Sequence, residues 1–228
     1  MKRGMFALLV GVAALGACVQ EARMRLPLAP AAELEEVALT GIGFSAAGTF
    51  TIAGAEGDYS RGGERVDAFE VTSAAGGSSF SLRGGPVGED LSAFCSFSQK
   101  DVALSRSLTA TVEPLFLRCT FDRESGQAGD LELSAGGISG SERHGSLLFD
   151  GRLLEVKSVH KMQGSPLPTG MPLGYVFLDQ GREVGGVDLN GGTKRVYLPR
   201  DPELRQAALA ASVALAVFQE PEDVGLVD

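Results

Sequence analysis

The chain has 228 residues, 31 of them glycine and none tryptophan, with 44% hydrophobic and 21% charged side chains. That length allows one domain, and that balance fits a folded, turn-rich protein rather than a disordered one. The formal net charge of −9, with basic residues scattered among acidic ones, argues against nucleic acid as a partner, because polyanion binding needs clustered Lys and Arg.

Residues 1–17 read as an export signal. Lys2 and Arg3 form the positive start, Met5 to Leu15 the apolar run, and Gly16 and Ala17 are the small residues before Cys18. The run is too short for a transmembrane helix, which needs roughly 20 apolar residues. The tetrapeptide Leu15-Gly16-Ala17-Cys18 resembles the bacterial lipobox, in which the chain is cut before a cysteine that carries diacylglycerol. The resemblance implies lipidation at Cys18 and a membrane partner through that lipid, since several acyl chains on one residue give a stable hold. Val19 stands where an inner-membrane retention signal has Asp, which implies the outer membrane, with the domain facing the periplasm.

Residues 18–36 follow as the lipidated N-terminus and a tether, with Pro27, Pro30 and an Ala/Glu-rich stretch. From residue 37 to 228 a single β-rich domain is expected, built of short alternating runs separated by Gly, Asn, Asp and Ser. Strands are expected near 37–43, 49–53, 68–72, 79–83, 93–98, 115–122, 130–134, 145–149, 152–160, 174–178, 183–188 and 194–198. Asp150-Gly151 predicts a tight type I′ hairpin pairing Leu148 with Leu153, and Gln180-Gly181 a three-residue loop with a bulge at the glycine. The pairs Gly62-Gly63, Gly76-Gly77 and Gly185-Gly186 read as turns, and Lys194, Arg195 and Arg200 as solvated strand-end charges.

With Cys18 committed to lipid, Cys95 and Cys119 remain, in a compartment where disulfides persist. Each lies in a C-x-F run, so each shares a strand face with a phenylalanine and points to the core. A bridge between them would stabilise the fold by about 3–4 kcal/mol in the chain-entropy model. Two buried free thiols are the alternative.

A helix is expected over 201–218, with Asp201 as N-cap, Pro202 at the first position and Pro221 as a stop. From Ala207 to Phe218 its only polar side chain is Ser212, so Leu204, Leu209, Val213, Leu215, Val217 and Phe218 should all be buried. A segment apolar on every side and too short to span a bilayer has to be surrounded by its own protein. The expected fold is therefore mainly β, an antiparallel sheet closed or strongly curled around the C-terminal helix, with a β-sandwich carrying a packed helix as the alternative. The strand-turn-strand unit from Gly174 to Val187, the strand through Tyr197 and the apolar helix together resemble the tubby-like fold of tubby C-terminal domains, phospholipid scramblases and LURP-one-related proteins. The resemblance implies a closed barrel around the helix. Phosphoinositide binding by basic residues does not carry over, because no such cluster stands here.

No catalytic constellation emerges. His144 and His160 fall on different rungs of a hairpin, no serine sits in a nucleophile elbow, no Gly pair opens a helix, and acidic pairs such as Asp130 with Glu132 or Glu35 with Glu36 read as solvated. The expectation is a non-enzymatic, envelope-associated lipoprotein without cofactor or metal, with a protein partner left open and none identified. A lipid or small-ligand binding barrel is the second reading and an uncharacterised enzyme the third.

Overall fold

Alternation of apolar and polar residues builds a wall of antiparallel strands over the residues that the computed structural model describes, which are 23–25, 34–105, 108–136 and 141–225. In chain order the strands are β1 (Leu34–Thr40), β2 (Ala47–Ile52), β3 (Ala55–Ala68), β4 (Val71–Gly84), β5 (Leu91–Ser105) and β6 (Leu108–Arg123). Then come β7 (Gly126–Gly136), β8 (Glu142–Phe149), β9 (Arg152–Val159), β10 (Gly174–Asp179), β11 (Arg182–Asp188) and β12 (Lys194–Pro199), followed by helix α1 (Pro202–Val217). Each strand pairs with its sequence neighbours. β1 also pairs with β12, from Leu34 opposite Pro199 to Leu39 opposite Lys194, so the sheet closes into a twelve-stranded barrel. A sandwich is thereby excluded.

In β5 the alternation is plain: Leu91, Ala93, Cys95 and Phe97 point into the lumen and are buried, while Ser92, Phe94, Ser96 and Ser98 face out. Cys95 lies directly opposite Cys119 of β6, and the two form a disulfide inside the lumen. The outward positions carry charge, including the ion pairs Arg83–Asp58 at 3.1 Å, Arg118–Glu132 at 3.6 Å and Lys157–Glu155 at 2.7 Å. A lipid-facing wall would lose about 2–4 kcal/mol for each Arg or Lys at the bilayer midplane, so this wall faces water. No helix among the described residues is long and apolar enough to cross a membrane.

α1 runs through the lumen. Asp201 Oδ1 accepts from the backbone N–H of Glu203 at 3.1 Å and of Leu204 at 3.0 Å, and Pro202 occupies the first turn. From Ala207 to Val217 every side chain is buried, and Leu204 and Phe218 are buried at its two ends. The Ser212 hydroxyl donates to the Ala208 carbonyl at 2.6 Å, which satisfies the one polar group in the apolar stretch. Alanine keeps the helix narrow: a methyl group placed on Gly185 of β11 would stand only 3.3 Å from Ala208 Cβ. Around the helix the rings of Phe50, Phe80, Phe121 and Phe149 meet edge to face, with centroids 5.7–6.4 Å apart.

The strands depart from the sequence reading in several places. The Asp150-Gly151 turn and the Leu148–Leu153 pair are as expected. The β10–β11 turn is a correction: Asp179 pairs with Arg182, so the loop is the two residues Gln180 and Gly181, both at positive φ, and the bulge lies further back at Phe177 and Leu178. The segment 68–72 is not a strand of its own but straddles the turn between β3 and β4. The Gly62-Gly63 and Gly76-Gly77 pairs are not turns either. They lie mid-strand and face each other, Gly62 opposite Gly77 and Gly63 opposite Gly76, and Gly185-Gly186 is likewise inside β11. β1 takes in Leu34, Glu35 and Glu36, three residues assigned above to the tether. Lys194 and Arg195 are half-buried rather than solvated, with Arg195 3.7 Å from Glu36 and 4.0 Å from the buried Asp188, because β1 closes over them. Cys18 lies outside the described residues.

Candidate functional site

The two ends of the barrel differ. At the lower end, where Asp201 caps α1, short turns are tied by polar contacts such as Arg152 to Glu203 at 2.7 Å and Arg123 to Asp150 at 2.7 Å. The upper end, where α1 leaves at Phe218, gathers the longer connections, the C-terminal tail and the stretch Arg23–Arg25.

An ion pair closes the upper mouth, its cation buried and its carboxylate half-buried. Arg143 of β8 donates through Nη1 and Nη2 to the two carboxylate oxygens of Glu220, at 2.6 and 2.5 Å, and through Nη1 to the Tyr175 hydroxyl at 3.2 Å. The guanidinium also lies 5.8 Å from the centroid of the Phe218 ring. Burial opposes the charge on Arg143, but the fork onto Glu220 outweighs it and holds the proton firmly. Burial pushes the Tyr175 phenol up to about 12, against the pull of Arg143. The sign follows: the unfolded chain ionises this phenol near pH 10 and the native state does not. Stability is therefore untouched below about pH 10 and falls by about 1.4 kcal/mol per unit as the pH rises towards about 12. Denaturant midpoints measured across that range should fall less steeply for Tyr175→Phe than for the parent, and equal slopes would refute the assignment.

Arg61 of β3 fastens the other side of the mouth. It donates to the carbonyls of Ser45 at 3.2 Å, Gly43, and Val217 at 3.4 Å, so a cation meets the C-terminal end of the helix. Lys194 nearby has its pKa lowered, first by burial and then by Arg61. Between them lies a cavity of about 490 Å³, bordered also by Phe44, Leu215, Phe218 and Glu220.

The N-terminal stretch docks beside this mouth. The Met24 amide donates to Asp188 Oδ2 at 2.8 Å, and the Arg25 amide to the Lys161 carbonyl at 2.8 Å, which joins the stretch to the β9–β10 connection. On the outer wall below that connection is an open groove of about 1040 Å³ with Val176 and Leu178 as floor and Arg25, Lys157, Lys161 and Glu142 on its rim. His160 belongs to its frame. Its Nδ1 bonds the Thr169 carbonyl at 3.1 Å and its Nε2 the Ser158 hydroxyl at 2.9 Å, so both ring nitrogens are occupied in holding the connection. His144 is exposed on the wall opposite Lys157, as the hairpin register implies. Among the described residues no group of three or more His, Cys, Asp or Glu is placed to hold a metal.

The largest feature is an arm. β3, β4, β5 and β6 continue past the upper rim as a four-stranded ribbon that starts at the facing glycines 62–63 and 76–77. At the same level β5 and β6 shift register between Ser98 and Asp101, next to Pro114. Glycines without side chains and a bulge beside proline are devices that let a sheet bend away from its curvature. The arm has two unlike faces. One carries a cross-strand row Ala68, Val71, Val102 and Ala110, flanked by Val66 and Leu104; the other carries Asp67, Thr72, Gln99 and Asp101, bonded among themselves at 2.5 Å (Thr72 to Asp67) and 2.8 Å (Gln99 to Asp101).

No protein-family model, curated protein or solved structure matches this chain. The site therefore rests on its own geometry. Of the residues singled out from the sequence, Cys95 and Cys119 lie in the lumen, as do Leu204, Leu209, Val213 and Val217, whereas Leu215 and Phe218 also border the mouth cavity. Sequence reading missed Arg143, Glu220, Arg61 and the whole arm. The available signal for the arm was its length of Ser, Thr, Ala and Gly with scattered Val and Leu, which has the residues of a strand without a clean period of two.

Proposed function

We propose that this protein is a lipid-anchored envelope protein with a non-enzymatic interaction role, held by Cys18 in the outer membrane with its barrel on the periplasmic side. The observation that carries this reading is the filled lumen. A barrel whose interior is taken up by its own helix and a belt of phenyl rings has no room for a ligand there, so its working surfaces are on the outside, at the upper end. The docking of Arg23–Arg25 at that same end supports an anchor immediately before it. We further assign the fold to the tubby-like class. Support comes from the closed antiparallel barrel threaded by a C-terminal apolar helix, the arrangement which that resemblance implies.

The test is Cys18→Ser. The parent protein should incorporate radioactive palmitate and sediment with membranes, and the variant should do neither. Undiminished labelling of the variant would refute the lipid anchor. A second reading, a lipid or small-ligand carrier, is favoured by one feature only, the open groove over Val176 and Leu178 with Lys157 and Lys161 on its rim. Co-purifying lipid that is lost on Val176→Asp would support it.

A further inference from the structure

We infer that the tip of the four-stranded arm is a second membrane contact, inserting Phe69 and its apolar neighbours into the bilayer that holds the Cys18 lipid. The inference rests on the lipid-anchor reading above and extends it to the arm.

Three observations converge on it. The first is the distribution of exposed apolar side chains. Phe44, Leu167 and Met171 stand exposed on the connections of the upper rim, and Val66, Phe69, Leu104, Leu108 and Val112 on the arm beyond it. Only Phe94, Phe116, Leu148 and Leu153 complete the set among the described residues; the first two lie on the wall, and the last two form one cross-strand pair beside the lower β8–β9 turn. Most of the exposed apolar side chains are thus gathered at the upper end. Surfaces of this kind mark sites that meet a membrane or a partner.

The second is the residue chosen for the tip. The β3–β4 turn consists of Phe69 and Glu70, and Phe69 has a φ of 58°. That left-handed conformation favours Gly or Asn and is costly for a bulky side chain. The ring packs on nothing and is fully exposed. A large aromatic in an unfavourable conformation, with no contact inside the protein, contributes only if something outside receives it.

The third is chain length, which separates a bilayer from other occupants. Arg23 stands only five positions after Cys18, and Arg23 to Arg25 are fixed to the upper rim. Five residues span at most about 18 Å even when fully extended. The upper rim is therefore held within that distance of the lipid. From Gly63 to the tip the arm adds about 17–20 Å at the rise of a strand. A tether no longer than the arm keeps the membrane within reach of the arm's end. The charges suit a neutral interface better than an anionic one, since Glu64, Asp67 and Glu70 accompany Arg65 at the end of the hairpin. Lys100 is paired with Glu113 at 3.4 Å, where both can stay at the level of the head groups.

The absence of tryptophan makes a direct test available. Phe69→Trp and, separately, Leu104→Trp each give the full-length lipoprotein a single reporter, and Phe94→Trp on the wall serves as the control. Each is purified with its lipid and reconstituted in phosphatidylethanolamine/phosphatidylcholine vesicles, neutral overall, with brominated acyl chains. The two arm reporters should emit to the blue of their position in lipid-free detergent-exchanged buffer and be quenched by the bromine, while the wall reporter is neither shifted nor quenched. Arm reporters that stay unquenched in a protein shown by mass to carry lipid at Cys18 would overturn the inference while the anchor stands, and would leave the arm as a surface for a protein. If Cys18 proves to carry no lipid, the anchor reading fails by itself. The same variants mixed with those vesicles then decide the arm, quenching retaining it as a membrane contact and its absence removing it.

Discussion

Ala211→Asp should abolish the folded state. Ala211 is fully buried midway along α1, inside a lumen lined by Leu, Val and Phe, whereas Arg143, the buried cation among the described residues, lies at the upper mouth beside Glu220 and Phe218. A carboxyl group there either stays ionised, at a prohibitive solvation cost, or takes up a proton. With its pKa raised by about 3–5 units the group binds a proton, which at neutral pH costs about 4 kcal/mol. Overpacking adds about 1–3 kcal/mol, because the helix fits its lumen only as a slim rod. The sum rivals the about 5–15 kcal/mol that holds a domain together. Leu215→Asp should be destabilising but less so, since Leu215 borders the mouth cavity with Arg61 and Lys194 beside it. Circular dichroism and solubility read both outcomes. A soluble, cooperatively folding Ala211→Asp protein would show that the helix does not occupy the lumen.

Arg143→Ala is the second large effect, expected to cost about 3–5 kcal/mol, because removing one partner of a buried pair strands the other. Glu220 already has its pKa raised, first by burial and further by Glu222 and Asp223, with Arg143 opposing. Without Arg143 it has to bind a proton to remain inside, so the deficit should shrink as the pH is lowered from neutral towards the carboxylate range. Replacing both residues by leucine should recover most of the loss, as the stranded charge is then gone. Urea denaturation of the two single variants and the double variant measures this. A deficit below about 1 kcal/mol for Arg143→Ala would mean that the pair is not closed off from water as the geometry has it.

Corrections to the sequence reading share one cause. Alternation signals a strand where one face meets a core and the other meets water, as in β5 from Leu91 to Ser98. The arm meets no core, so its Ser, Thr and Ala runs lost the signal, and facing glycines were taken for turns. Likewise, Lys194 and Arg195 look solvated in sequence because the strand that covers them, β1, lies more than 150 positions earlier in the chain.

The sequence by itself determined the helix, its caps and its need to be enclosed, because a stretch from Ala207 to Val217 with Ser212 as its only polar side chain leaves no other outcome. It determined the inward direction of Cys95 and Cys119, which follows from the period of a strand. Only tertiary structure decided the rest: that β1 seals against β12, that Arg143 meets Glu220 across 77 positions, and that the docked N-terminus and the arm share one end of the barrel. The physical reason is that burial is a local demand, readable residue by residue, whereas which strand or charge answers it depends on closure of the sheet. Closure brings together groups that no local pattern connects.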